Sequence, residues 1–435
     1  MIFDNLTTLI FLPVLFSLVL LFLPNDNDKL IHRFAQLASG FLFVASVYLW
    51  CTTSAPGVVT AVNHPWLPMF GINYALQADN LSWTMVLLTT FLVFVSVIAS
   101  KTSIDKRLKL YYSLLFLITT SLLGVFMARD LFLFFLFYEL ELIPMYLLIA
   151  IWGGLRREYA SIKFALYTLL GSIFMFAAIV GLFYFSLHTV GGHPTFAFAD
   201  MKMLASGLAV SSQVLLFLGF FIAFAVKLPM VPFHTWLPDA HVEAPTPVSM
   251  LLAGIMLKMG AYGMVRICFD LFPQAALTLA PYLVLFGVIN IIYTAGIAMV
   301  QADLKKLVAY SSVSHMGFVL VGLGALNPIG FTGATFQMVS HGLISAGLFM
   351  MVGCIYTRTH TRQIADLGGL ARVMPAVYFF GLFLAMASLG LPLLAGFPAE
   401  SLVFYGAFLS KAFSSINFFG TVLPVSIQLL TIIAG

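Results

Sequence analysis

Six ionisable side chains stand inside runs of apolar residues long enough to cross a bilayer: Glu139, Lys227, Lys258, His315, His341 and Glu400. An ionisable group at mid-bilayer costs about 2.5–3.5 kcal/mol on insertion scales. Such residues persist when they pair, touch water or work. Carboxylates, amines and imidazoles all give and take protons, so the chemistry to expect is proton transfer.

Glu139 and Glu141 share the segment LFLFFLFYELELIPMYLLIAIWGG. A spacing of two puts them on different helix faces, so both cannot point at one neighbour. Glu139 is the inward candidate. Glu141 is expected to anchor at the interface, with at most an accessory role. Lys227 lies in FAVKLPMVPFHTWLPDAH, followed by Pro229 and Pro232. Each proline removes a backbone donor and clashes with the preceding turn, so this helix should break. Broken backbone at membrane depth must line a hydrated cavity or be buried in protein. A lysine beside such a break can trade its proton as its surroundings change; the plain alternative is a lysine snorkelling to the interface.

Lys258 follows about a dozen mostly apolar positions in PVSMLLAGIMLKMGAYGMVRI, which makes snorkelling difficult. The polar stretch before it, with His234, Asp239, His241 and Glu243, could admit water; a solvated loop is the alternative. His315 (YSSVSHMGFVLVG) and His341 (FQMVSHGLISAGLF) are single imidazoles on successive helices, each with Ser neighbours. A satisfied core histidine is the bland reading of each. Glu400 closes ASLGLPLLAGFPAESLVF, where Pro392, Gly396 and Pro398 interrupt another apolar run.

The elements that hold these groups follow from composition. Of the 435 residues, 62% are hydrophobic and 8% charged, against roughly 25% charged in soluble domains. Lipid must be the solvent, and a net charge of +4 implies no nucleic-acid partner. Cys51, Cys268 and Cys354 are far apart in apolar runs, with neither metal-ligand spacing nor a disulfide framework. A span needs about 20 mostly apolar residues. Thirteen candidates result, near 6–23, 34–53, 78–99, 109–128, 131–153, 161–187, 211–233, 246–268, 277–300, 304–324, 331–356, 375–405 and 418–435. The first lacks a basic n-region and a cleavage site, so it reads as a retained helix. The last is short and ends without polar anchors, as in a shortened form of a longer chain.

Alternate loops are unequal in charge. Of the 20 Lys and Arg, 14 fall on one side, including Lys305, Lys306 and Arg362, and 4 on the other; Lys227 and Lys258 lie within helices. The basic side should face the cytoplasm, stroma or matrix, with the N-terminus opposite, on the lumenal or periplasmic side. The seventh and twelfth candidates are both proline-broken and both carry an ionisable group. Paired interrupted segments point to an inverted-repeat transporter. Helices 4–8 (108–270) and 9–13 (271–435) would be the repeats, after three leading helices (1–107), in one membrane domain. The fold class is an all-α polytopic bundle of 13–14 helices with an antiporter-like repeat.

The segments YELELIPMYLLIAIWGG, AVKLPMVPFHTWLPDAHVEAPTPVSMLLAGIMLKMGAYG, DLKKLVAYSSVSHMGF and SHGLISAGLFMMVGCIYTRTHTR resemble chain 4, the M chain, of NADH-quinone oxidoreductase (complex I), related to the Mrp sodium/proton antiporters. The resemblance implies fourteen helices, two inverted five-helix repeats and no redox centre in this chain. Iron–sulfur clusters and quinone would lie in other subunits. By motif, Glu139 corresponds to the family's glutamate, Lys227 to its ion-pair partner, Lys258 to the connecting lysine, His315 and His341 to the central histidines, and Glu400 to the exit-side acid. His234, Asp239, His241 and Glu141 are accessory candidates. The chain departs from the family in reading LPLLAGFP for an LPG-type turn, and by this resemblance it is expected to stop within helix 13, short of a fourteenth.

The wording ELELIP resembles the cyanobacterial and plastid branch, which implies plastoquinone as acceptor, a thylakoid membrane, or otherwise a bacterial inner membrane, and a translocase class of enzyme. Expected partners are the other antiporter-like subunits of the membrane arm, the hydrophilic arm and lipid. The rival readings are a stand-alone Mrp-type antiporter and a non-transporting structural subunit.

Overall fold

The computed structural model describes residues 4–24, 27–53, 60–189, 194–413, 415–418, 421–423 and 425–434. Residues 54–59 of the expected loop 54–77, 190–193 of the loop 188–210, and 419–420, 424 and 435 of the last candidate span lie outside them. Among the described residues, 11 helices are long and apolar enough to cross a membrane. The chain forms two compact units: Met1–Ala209 with Glu243–Leu251, and Val210–Val242 with Leu252–Gly435.

In the first unit, α1 (Asn5–Phe22) and α2 (Asp28–Thr53) lead to a hairpin of β1 (Thr60–Leu67) and β2 (Ile72–Ala78), then α3 (Asn80–Ser100) and α4 (Leu108–Met127). The hairpin was expected only as loop. It pairs antiparallel from Thr60↔Ala78 to Leu67↔Ile72. Asp130, fully buried, fixes it: its carboxylate accepts from the amides of Phe132 (3.0 Å) and Leu133 (3.1 Å), capping α5 (Leu131–Leu140), and from Asn73 of β2 (3.1 Å). Burial pushes this carboxyl up, and the three amides oppose that shift.

α5 stops at Leu140 and α6 restarts over Leu142–Trp152. Pro144 has no amide to give the Leu140 carbonyl, which accounts for the break at Glu141. α7 (Arg157–Thr189) is longer than its candidate span, and α8 (Phe198–Gly207) occupies part of the expected long loop.

In the second unit, α9 (Val210–Lys227) ends at Lys227, short of the expected 233. Pro229 and Pro232 end it. The loosened backbone is satisfied locally: Val231 N donates to Asn290 Oδ1 (2.8 Å) and Trp236 Nε1 to Val226 O (2.9 Å). The polar stretch expected as loop forms α10 (Trp236–Glu243), and His234 and His241 are buried. α11 (Thr246–Phe269), whose first turns to Leu251 are counted with the first unit, contains two π-turns, Leu252–Met256 and Met264–Phe269.

α12 (Pro273–Met299) and α13 (Leu304–Gly324) pack backbone to backbone. A Cβ on Gly317 would meet Gly287 O at 2.6 Å, and one on Gly287 would meet Gly317 O at 2.9 Å. Small residues permit this approach. α14 (Pro328–Thr359) follows. The twelfth candidate, 375–405, is two helices, α15 (Pro375–Ser388) and α16 (Gly396–Leu409), with Gly390 between them at φ +67°. The thirteenth, 418–435, is not a span among the described residues: β3 (Ile416–Phe418) and β4 (Thr421–Leu423) pair antiparallel, and helix α17 covers Ile427–Ala434.

Candidate proton-relay site

The second unit brings four of the six sequence candidates into one line. Lys258 leaves α11 just after the first π-turn, where a widened turn frees a carbonyl. Its ammonium donates to Ala253 O at 2.5 Å and lies 2.7 Å from His341 Nδ1 on α14. Nζ can donate to this ring nitrogen when His341 carries its own proton on Nε2. The His341 ring centroid is 5.5 Å from that of His315 on α13. His315 Nδ1 is 3.4 Å from Glu400 Oε1 on α16, and His315 Nε2 is 2.9 Å from the Ser388 hydroxyl at the end of α15.

Burial grades along this line. Lys258 and His341 are 0% and 3% exposed, whereas the side chains of His315 and Glu400 are 15% and 18% exposed. A small cavity, about 10 Å³ and so fit for roughly one water, is lined by His315, Gln337, Ser340, His341, Ser388 and Glu400. Gln337 Nε2 stands 3.4 Å from His315 Nδ1, and Gln337 Oε1 accepts from the Ser340 hydroxyl at 3.3 Å. The cavity borders both imidazoles, with the Gln337 amide and the Ser340 and Ser388 hydroxyls in its wall.

Gly390 makes space for the last member. A Cβ there would meet Glu400 Oε2 at 2.6 Å, and its positive φ would strain any other residue. The departure LPLLAGFP thus still delivers a carboxylate to His315.

Lys227 is buried at the end of α9. His234 packs edge-on to Tyr293 and Tyr310, and His241 stacks on Phe349 with centroids 4.4 Å apart. Asp239 is half-buried on α10.

The first unit holds the two glutamates, and their burial reverses the expectation. Glu141 is 0% exposed, so it is not an interfacial anchor; Glu139 is half-buried and accepts a hydrogen bond from the Ser172 hydroxyl. Glu141 stands at the α5–α6 break, so the face that a continuous helix would give it does not apply.

Sequence reasoning missed Gln337, Ser172, Ser388 and Lys305. Gln337 had a signal: it lies four residues before His341, on one helix face. Lys305, counted with the loop cations, is 5% exposed in the first turn of α13. Ser172 and Ser388 had none, because serine is common in these helices.

Residues 128–424 match the family described as NADH:quinone oxidoreductase/Mrp antiporter, TM. NAD(P)H-quinone oxidoreductase chain 4 of Acaryochloris marina is 42% identical over 95% of this chain and 77% of its own. The chloroplastic chain 4 of Chlorokybus atmophyticus is 42% identical over 94% and 79%. In the solved structure of respiratory complex I from Thermus thermophilus, one chain superposes with a TM-score of 0.85 and 32% identity, covering 99% of this chain and 84% of that one. The fold, the buried line of titratable groups and these likenesses agree: the chain belongs to the NADH:quinone oxidoreductase/Mrp antiporter membrane family.

Proposed function

We propose that the line Lys258–His341–His315–Glu400 is the proton path of this subunit. The protein is a multi-pass, proton-pumping membrane subunit of a complex I-type quinone oxidoreductase, assembled with other membrane-arm subunits. One observation carries the path: an amine, two imidazoles and a carboxylate follow one another across four elements at 2.7, 5.5 and 3.4 Å.

The working cycle starts at Glu139 and Lys227, assigned the switch by their sequence context. Redox energy released in other subunits alters the electrostatics there. Lys227 then yields its proton toward Lys258, and the histidines pass it to Glu400 and the exit side. Uptake is from the basic side. Moving one charge against 100 mV costs about 2.3 kcal/mol, and one pKa unit is worth about 1.36 kcal/mol, so a change of about two units per step suffices. Iron–sulfur clusters and a quinone, plastoquinone in the cyanobacterial and plastid branch, belong to partner subunits in this reading, and the enzyme class is a translocase. The cyanobacterial and chloroplastic relatives support a thylakoid location, and the charge bias supports a lumenal N-terminus. Candidate spans 4–8 and 9–13 are proposed as the inverted repeats, on the strength of the two broken spans five helices apart; the last member, 418–435, forms no span among the described residues. A stand-alone Mrp-type antiporter is less supported, because the chain 4 relatives are 42% identical to this sequence, against 24% for a chain of a solved Mrp complex.

The test is the assembled complex in sealed vesicles with Glu139→Gln or Lys227→Met. Assembly should persist while proton-coupled turnover falls sharply. A normal proton-to-electron ratio at normal turnover in both variants refutes the assignment of Glu139 and Lys227 as the switch that drives the path.

A further inference from the structure

Arg362, between α14 and α15, was read from the sequence only as a loop cation. It is 27% exposed and joins three segments of the second unit. Its guanidinium donates to Val242 O at 2.7 Å, at the end of α10. Its Nε lies 3.4 Å from Asp303 Oδ2. Its own carbonyl accepts from Leu304 N at 2.9 Å, and two residues on Ile364 N donates to Ala302 O at 2.9 Å. The guanidinium also sits 5.4 Å from the centroid of the Tyr356 ring at the end of α14.

Asp303 is itself the cap of α13, accepting from Lys305 N (2.7 Å) and Lys306 N (3.2 Å). The arginine therefore ties the start of the helix carrying His315 to the residue after His241. His241 is fully buried against Phe349. Phe349 lies eight residues, about two turns, after His341 on α14, so His241 packs against the helix face that carries His341. The imidazole stands on a short helix of eight residues, and the carbonyl of the residue that follows it accepts from the Arg362 guanidinium. An arginine making several directed bonds locks geometry in a way a point charge does not.

We propose that Arg362 is a positioning residue that clamps the end of α10 to the cap of α13 and so holds His241 in register with Lys258 for proton uptake. The inference rests on the relay proposed above and adds to it an uptake group, His241, and the residue that aligns it. Arg362 takes no proton itself. It acts by fixing the backbone at Val242, one residue from the ring that does.

The experiment uses the assembled complex in sealed vesicles, reading quinone-linked electron transfer together with proton uptake. Four variants are compared: Arg362→Ala, Arg362→Lys, His241→Gln and the double Arg362→Ala/His241→Gln. Arg362→Ala should lower proton-coupled turnover by about tenfold, within the range that small misplacement of a reacting group produces. Arg362→Lys should recover part of it, and the double variant should be no slower than His241→Gln alone. Full turnover in Arg362→Ala, or a further loss in the double variant, overturns the clamp. If Arg362→Ala fails to assemble, Asp303→Asn keeps a cap acceptor and loses the ion pair; it should show the same dependence on His241, and an effect independent of His241 overturns the proposal. Normal turnover in His241→Gln refutes the relay's uptake group, an outcome distinct from failure of Arg362 to act through it.

Discussion

Lys258 Nζ and His341 Nδ1 are 2.7 Å apart, and neither side chain has appreciable contact with solvent. Two full positive charges at that separation repel strongly away from water, so charge arriving on one side chain disfavours charge on the other.

Replacing Lys258 with Met should leave the complex assembled and reduce proton-coupled turnover by about tenfold or more, since tenfold corresponds to only about 1.4 kcal/mol in a barrier. His341→Gln should have a smaller effect, because an amide can orient a bridging water but cannot carry the charge. Proton uptake by vesicles in parallel with quinone reduction checks both; equal effects would deny the pair its asymmetry.

Glu400→Gln removes the acceptor 3.4 Å from His315 while keeping the shape of the site. Turnover should fall, and Glu400→Asp should fall between wild type and Gln. If Glu400→Gln pumps normally, the line ends at His315.

Gly390→Ala is the sharper test of the same locus. Its Cβ would sit 2.6 Å from Glu400 Oε2 on a backbone with φ +67°, a conformation costing a residue with a Cβ roughly 1–2 kcal/mol. The carboxylate must move, so turnover should drop toward that of Glu400→Gln while the complex still assembles. A fully active Gly390→Ala would mean that the placement of Glu400 is not critical.

Gly317→Leu should act on stability, because its side chain would begin 2.6 Å from Gly287 O. Overpacking of this kind costs typically 1–3 kcal/mol. The yield and melting temperature of the complex should both fall.

Asp130→Ala strips three amides of their acceptor and should loosen the hairpin by roughly 1–3 kcal/mol. The pH dependence has a definite sign. Burial raises the folded-state pKa of this carboxyl above its unfolded value, so its favourable contribution is complete in acid and is lost as pH rises through the raised value. Proteolysis within residues 60–78, compared at acid and neutral pH in wild type and Asp130→Asn, reads it: the asparagine should flatten the difference.

What could be read from the residues alone was whatever depends on composition and local stereochemistry. Apolar runs and a scarcity of charge dictate membrane helices, because backbone groups in lipid must be satisfied within the helix. Pro229, Pro232 and Pro392 marked breaks through a missing amide, and the breaks are there. The chemical types of Lys258, His315, His341 and Glu400 were legible for the same reason: an ionisable side chain in an apolar run is costly wherever it ends up.

Order and contact were not legible, since they depend on which helix faces meet. Lys258 reaches His341 through 83 residues of chain, and His315 reaches Glu400 through the fold of a broken helix around Gly390. Glu141 is buried at the α5–α6 break, where the face of a continuous helix does not apply. Residues 416–418 pair with 421–423 as strands where hydropathy alone read a span over 418–435. Lys305 and Arg362 looked like solvated loop cations, yet one is buried and the other bridges three segments. Hydropathy and spacing report what a residue costs in lipid; only close packing of small-residue helices such as α12 on α13, and polar atoms competing for partners without water, decide where each charge stands.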